Sequence, residues 1–282
     1  MIATLIIQGL IFSLVAMAVY LTSRVIRKDD LTTEGSFGLG SAATAFALQH
    51  SLDPVLTLVL ACLAGALSGL VTGILHTRLS MNHLMAGLAT TTACFSISLA
   101  MASANAIIDT KTTIFALAEK IFLPSSDLMV VLIISMSLLM MVRWFLYTEV
   151  GLFMRASGDN PAMVMALGKA PENYYCLTFM LANTLTALAG SLFVQWSGFF
   201  SITGSLGVLV TGLASLMLAE LFGKNLSPLI VAASLGYQAI LALSLALGVP
   251  PVWNNLIKAL IMISLVAIAH ILASPHKGEH RA

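Results

Sequence analysis

Glu149-Val-Gly-Leu-Phe-Met-Arg-Ala-Ser-Gly-Asp-Asn-Pro-Ala-Met-Val-Met-Ala-Leu-Gly-Lys169 is the longest stretch of this chain that cannot lie in a bilayer, and it separates two long apolar segments. Asp159 or Asn160 can N-cap a helix here, Pro161 suits the first helical position, and Gly168 suits the position just past the end. The spacing predicts a two-turn helix, Pro161 to Leu167, carrying Met163, Val164, Met165 and Leu167. Such a helix is too apolar to meet only water and too short to span a membrane. It needs a cover.

On both sides of this stretch the chain is apolar. Of its 282 residues 59% are hydrophobic and 9% charged, with a mean hydropathy of +0.99. That composition excludes a soluble domain and defines an all-α, polytopic transmembrane helical bundle. The apolar residues form continuous blocks of about 20 and do not alternate, which argues against a β-barrel. Windows of this length place nine spans near 2–23, 35–50, 54–76, 83–104, 126–147, 175–196, 204–222, 227–247 and 254–273, within a single transmembrane domain over 1–282. The second, Gly35 to His50, is short and glycine-rich and reads as a broken or partial helix. Ile2 to Thr22 has no basic leader and reads as a retained span.

With nine spans and the 149–174 loop cytoplasmic, the N-terminus is outside and the C-terminus inside. Arg24, Arg27, Lys28, Arg78, Arg143, Arg155, Lys169, Lys224, Lys277 and Arg281 then lie on the cytoplasmic side. Lys111 and Lys120 lie outside, and Lys258 snorkels to the outer surface, so the positive-inside rule is satisfied. The largest outer loop, Ala104 to Asp127, contains a short amphipathic stretch around Thr113 to Phe122 and the turn Pro124-Ser-Ser-Asp127. It is either a connector resting on the membrane or a docking surface.

Glu34, Asp53, Asp109 and Glu220 fall near span ends, so the pattern shows no proton relay across the membrane. The chain has no glycine loop leading into Lys-Ser/Thr, no His-Glu-x-x-His pair and no Gly-x-Ser-x-Gly elbow, so no catalytic site is indicated. Cys62, Cys94 and Cys176 read as small core residues, and His270, His276 and His280 are too spread for a metal site. The dispersed basic residues indicate no nucleic-acid partner. The uncharged polar groups Thr90-Thr-Thr92, Asn183, Thr184, Thr186, Gln195, Thr211, Ser215 and Gln238 either line a path or bond helices together. From these and the glycine-rich span we select Phe37, Thr91, Asn183, Gln195 and Thr211 as pathway candidates. Gly65-Ala-Leu-Ser-Gly69 and Gly69-Leu-Val-Thr-Gly73 read as close helix packing. Glu34-Gly-Ser-Phe-Gly-Leu-Gly40 and Phe199-Phe-Ser-Ile-Thr-Gly-Ser-Leu-Gly207 place glycines and hydroxyls at the start of a span in each half, as in a pseudo-repeat with a path between halves.

The segment Thr148 to Gly168 resembles the cytoplasmic signature of the permease subunits of bacterial ATP-binding-cassette importers of the branched-chain amino acid and ribose type. In that signature a Gly and an Arg-Ala precede a Gly-Asn-Pro-like turn, a short helix and a Gly. The likeness continues through Leu181-Ala-Asn-Thr-Leu-Thr-Ala-Leu-Ala-Gly190. Asp30 to Ala43, Gly65 to Leu79, Met81-Asn-His-Leu-Met-Ala-Gly87, Ala104-Asn-Ala-Ile107 and Val210 to Glu220 resemble, more narrowly, the tryptophan/tyrosine-type importer branch. Ala219 departs from it, where that branch has glycine. The resemblance implies a permease in the bacterial inner membrane, dimerised with a second copy, bearing on two cytoplasmic ATPase subunits and served by an extracytoplasmic substrate-binding protein. ATP and Mg would be bound by the ATPases and no cofactor by this chain. The implied coupling contact is Arg155, Asp159, Asn160, Pro161, Met163, Met165 and Leu167. The implied solute is an amino acid, possibly aromatic, with a sugar, nucleoside or vitamin as alternatives. An ATPase-independent carrier or channel, or a structural subunit without a path, are the readings from other classes.

Overall fold

The computed structural model describes residues 2–121, 127–223, 226–248, 250 and 253–273. The expected turn at 124–126, Lys224, His276, Lys277, His280, Arg281 and the side chains of Lys111, Lys120 and His270 lie outside the described residues. In chain order the elements are α1 (Ile2–Tyr20), extended by a π-helical turn (Leu21–Val25), then α2 (Thr32–Gln49), α3 (Pro54–Thr77) and α4 (His83–Ala102). Next come β1 (Asn105–Ile107), α5 (Ile114–Ile121), α6 (Asp127–Phe145), α7 (Glu149–Asp159) and α8 (Pro161–Ala166). The chain ends with α9 (Pro171–Ser197), β2 (Phe199–Ser201), a 3-10 turn (Ile202–Ser205), α10 (Val208–Phe222), α11 (Leu226–Ala246) and α12 (Asn254–Ala273).

A helix occupies each expected window, and among the described residues six helical segments, Ala3–Val25, Pro54–Thr77, His83–Ala102, Asp127–Phe145, Pro171–Ser197 and Ile202–Phe222, are long and apolar enough to cross a membrane. Local chemistry sets several boundaries. Asp53 caps α3 by accepting from Val55 N, with Pro54 in the first turn, and Asn82 caps α4 through Leu84 N. Gly198, at φ 73°, closes α9 in the left-handed conformation that glycine tolerates.

The second helix corrects the expectation of a broken span: α2 runs unbroken from Thr32 to Gln49, and fifteen of its eighteen residues are buried. Its glycines are contact points. A Cβ on Gly40 would overlap the Ala187 backbone of α9, and one on Gly35 would meet Thr91 of α4 at 2.7 Å. Along α3, Gly65, Gly69 and Gly73 face Asn183, Phe179 and Cys176 of α9, so the small-residue stripe lets two antiparallel helices approach closely. The expected pairing of two interrupted stretches also changes. Residues 34–40 are helical, whereas 199–205 form a strand and a 3-10 turn, so only the second is interrupted.

At the end of the bundle that carries α8, Arg24 pairs with Glu220 and Arg27 with Asp159. At the opposite end β1 and β2 pair antiparallel, with Ala106 opposite Phe200, tying the α4 exit to the α9 exit. The main hydrophobic core is built around α1, α9 and α10, with Leu14, Phe179, Leu192 and Leu216 fully enclosed.

Candidate functional site

Two places in this fold carry unfulfilled chemistry. The first is the expected helix in the 149–169 stretch. Thr148 caps α7 through Gly151 N, Asn160 caps α8 through Met163 N, Pro161 follows, and Gly168 ends the turn at φ 74°. The ordered helix stops at Ala166, with Leu167 as its C-cap. Met163, Met165 and Leu167 are 55%, 55% and 58% exposed, whereas Val164 is wholly buried and anchors the helix from beneath.

The other residues expected there face the protein or shape the turn. Asp159 pairs with Arg27, and the Arg155 guanidinium lies 5.8 Å above the Tyr147 ring. α7 is held here from two sides: the Tyr175 hydroxyl of α9 donates to the Ser157 carbonyl at 2.8 Å, and a Cβ on Gly158 would overlap the Val25 carbonyl at the end of the π-helical turn. Lys28 lies over the Tyr175 ring, where burial lowers its pKa below the usual lysine value.

The second place is a cavity of about 430 Å³ among α1, α2, α9, α10, α11 and α12, roofed by β2 and the 3-10 turn. Phe12, Phe37 and Phe193 form one wall, their ring centroids 6.0 to 6.1 Å apart. Polar groups face them. Ser41, Thr211, Gln8, Gln238 and Lys258 all line the space. Ser41 Oγ is buried without a hydrogen-bond partner in the protein.

Below the cavity, Glu34 accepts a hydrogen bond from Gly207 N at 2.9 Å, placing a carboxylate at the N-terminus of α10. The two glycine-rich stretches of the sequence therefore touch. Glu34 is half-buried between α2 and the head of α10, beyond the 26–31 connector that leads into α2. Asp30, 2% exposed, follows the same course: its carboxylate accepts from Thr32 N and from Asn183 Nδ2, at 2.8 and 2.7 Å. Asn183 lies about 18 Å along α9 from Pro171 at 1.5 Å per residue. Two carboxylates thus lie deeper than the span pattern indicated.

Of the five pathway residues selected from sequence, Phe37 and Thr211 meet at this cavity. Asn183 accepts from Ser36 Oγ at 2.6 Å and, with Asp30, ties α2 to α9. Thr91 Oγ1 donates to the Leu31 carbonyl at 2.7 Å. Gln195 bridges Thr57 and Ile114 N, beside a second cavity of about 240 Å³ under α5. Sequence reasoning missed Lys258, Gln8 and Ser41 as cavity residues, and Asp30 as a buried one. Lys258 and Gln8 each sit within about five to seven residues of a span start, a position shared with ordinary snorkelling residues.

A bundle of apolar helices enclosing a polar and aromatic cavity defines a multi-pass membrane protein of the permease class. The chain belongs to the family described as branched-chain amino acid transport system / permease component, which matches residues 1–266. It is a non-catalytic component of a transport system, held in the bacterial inner membrane. A tyrosine transport system permease protein of Clostridioides difficile (strain R20291) is 29% identical over 275 residues, covering 96% of this chain and 92% of the relative. An autoinducer 2 import system permease protein of Enterobacter sp. (strain 638) is 24% identical, covering 86% of this chain and 71% of the relative. Among solved structures, PsaBC from Streptococcus pneumoniae in complex with Fab shares the fold at a TM-score of 0.56 and 14% identity, over 95% of this chain and 88% of that one.

Proposed function

We propose that this chain is the membrane subunit of an ATP-driven importer of a small solute, most simply an amino acid and among these an aromatic one. The observation that carries the energetic half is α8, a capped helix presenting Met163, Met165 and Leu167 outward from the protein. Arg78, Arg143, Arg155 and Lys169 lie at the same end of the chain's helices, so the positive-inside rule supports a cytoplasmic α8, an outer N-terminus and nine crossings. An ATPase groove is the cover such a helix needs, with ATP and Mg on the ATPase. Two permease copies, two ATPases and an extracytoplasmic binding protein complete the assembly. Closure of the ATPase pair moves α8 and rocks the bundle between its outward- and inward-open states.

The tyrosine permease relative supports the amino acid half, and the wall of three phenylalanines is compatible with an aromatic side chain. The test is reconstitution of the chain with its ATPase in liposomes. ATP-dependent amino acid uptake, lost together with ATPase binding on Met163→Ala/Met165→Ala, is the expected result. Gradient-driven uptake by the chain alone, or uptake and assembly unchanged in the double variant, rejects the coupling.

A further inference from the structure

Lys258 stands in the cavity wall without a direct ion pair. Among the described residues it makes no ion pair within 4 Å. Glu34 attracts it through space while accepting from Gly207 N at the start of α10, and does not touch it. A largely buried ammonium whose counter-charge stands off leaves room for an anionic group supplied from outside to make the direct contact.

Two neighbours add polar groups to the same wall. The Ser41 hydroxyl, in a residue 2% exposed, is buried without a partner, and the Gln238 amide, in a residue 6% exposed, lines the space beside it. Buried polar groups are normally satisfied, and each orphan marks a place where a partner fits. Across from these groups stand the rings of Phe12, Phe37 and Phe193. The volume, about 430 Å³, falls at the small end of ligand pockets, which run from about 300 to 1,000 Å³.

The ligand class follows from these four features. No carboxylate lines the cavity among the described residues, which disfavours a metal ion. A molecule with one carboxylate, one or two further hydrogen-bonding groups and an apolar body satisfies every wall.

We infer that the cavity is a binding site within the permease itself for a free α-amino acid with an apolar or aromatic side chain, its carboxylate held by Lys258 and its side chain against the phenylalanine wall. This rests on the reading of the chain as an amino acid permease, and adds that selection occurs in this chain as well as in any delivering protein.

The experiment uses the full chain in lipid nanodiscs, without ATPase or binding protein. Binding of each of the twenty standard amino acids at millimolar concentration is measured by thermal shift, and the best ligand is then compared with its decarboxylated amine. The expected result is binding by an apolar or aromatic amino acid, with the amine weaker by roughly tenfold or more. Lys258→Met should lose the preference for acid over amine, and Lys258→Arg should keep it. Binding by none of the twenty, or equal binding of acid and amine, overturns the inference. The acid and amine comparison needs no variant, so a Lys258→Met chain that fails to fold leaves the outcome decidable. ATP-driven uptake with no binding here would sink this inference alone; binding here without ATP-driven uptake would sink the transport reading alone.

Discussion

Helices α2 and α6 are of similar length and opposite construction. α2 is made mostly of glycine, alanine, serine and threonine, with Phe37 the one phenylalanine of its two that is buried, and fifteen of its eighteen residues are buried. α6 is made of Leu, Ile, Val and Met, and only 22% of its span is buried, with Ile133 and Met140 60% and 74% exposed. In water the larger apolar residues would take the inside. In lipid there is no penalty for exposing them, so the interior goes to the helix whose small side chains let backbones touch and whose hydroxyls bond across. α2 does both: Ser36 and Ser68, Thr32 and Thr72, and Thr44 and Ser191 lie 2.7, 2.7 and 2.6 Å apart.

The largest effect should come from enlarging a contact point on the α2 side. Gly190→Leu would push a side chain into the Phe37 carbonyl and Ser41. A loss of more than about 3 kcal/mol is expected, seen as failure to recover monodisperse protein in detergent; normal yield would show that the glycines are not close-packed. Next is Asn183→Leu, which removes the hydrogen bond to the buried Asp30 and should cost about 2–3 kcal/mol in thermal unfolding. Recovery of stability in Asn183→Leu/Asp30→Asn would confirm that the cost is an unpaired carboxylate. Met163→Ala/Met165→Ala should change stability by less than about 0.5 kcal/mol while weakening ATPase co-purification, because those residues are more than half exposed. Smallest of all, Met140→Leu on α6 should be silent within about 0.5 kcal/mol in the same assay. A large effect there would reveal a protein contact on that face and end the contrast.

The sequence reading succeeded where a local pattern carries the physics. Twenty-residue apolar windows found the long helices, and the Asn160, Pro161 and Gly168 signals found α8 almost to the residue. It failed where meaning depends on a neighbour distant in sequence. The glycines of α2 read as breaks because a glycine's use as a contact point is visible only when Ala187 and Thr91 stand opposite. α7 went unread because Gly151 and Gly158 lower its helical propensity, yet Gly158 must be small to admit the Val25 carbonyl. The cavity was half found, through Phe37 and Thr211, because its walls come from six helices and no single window shows them together. Asp30 was not singled out as buried, since nothing in Lys28-Asp-Asp-Leu31 signals that the connector re-enters the bundle.

The pair Arg27 and Asp159 has a mechanical meaning beyond charge. Asp159 is the residue before the cap of α8, and Arg27 lies five residues before the first turn of α2, held by its backbone at φ 54°. Between them Gly158 leaves no gap against Val25 and Ile26. The surface helix and the central helix are therefore linked through the connector 26–31, packed against Gly158 on one side and paired through an exposed ion pair on the other. The same connector leads into the first turn of α2, where Glu34 accepts from Gly207 at the head of α10, so the α8 end of the bundle and the cavity end share one short piece of chain.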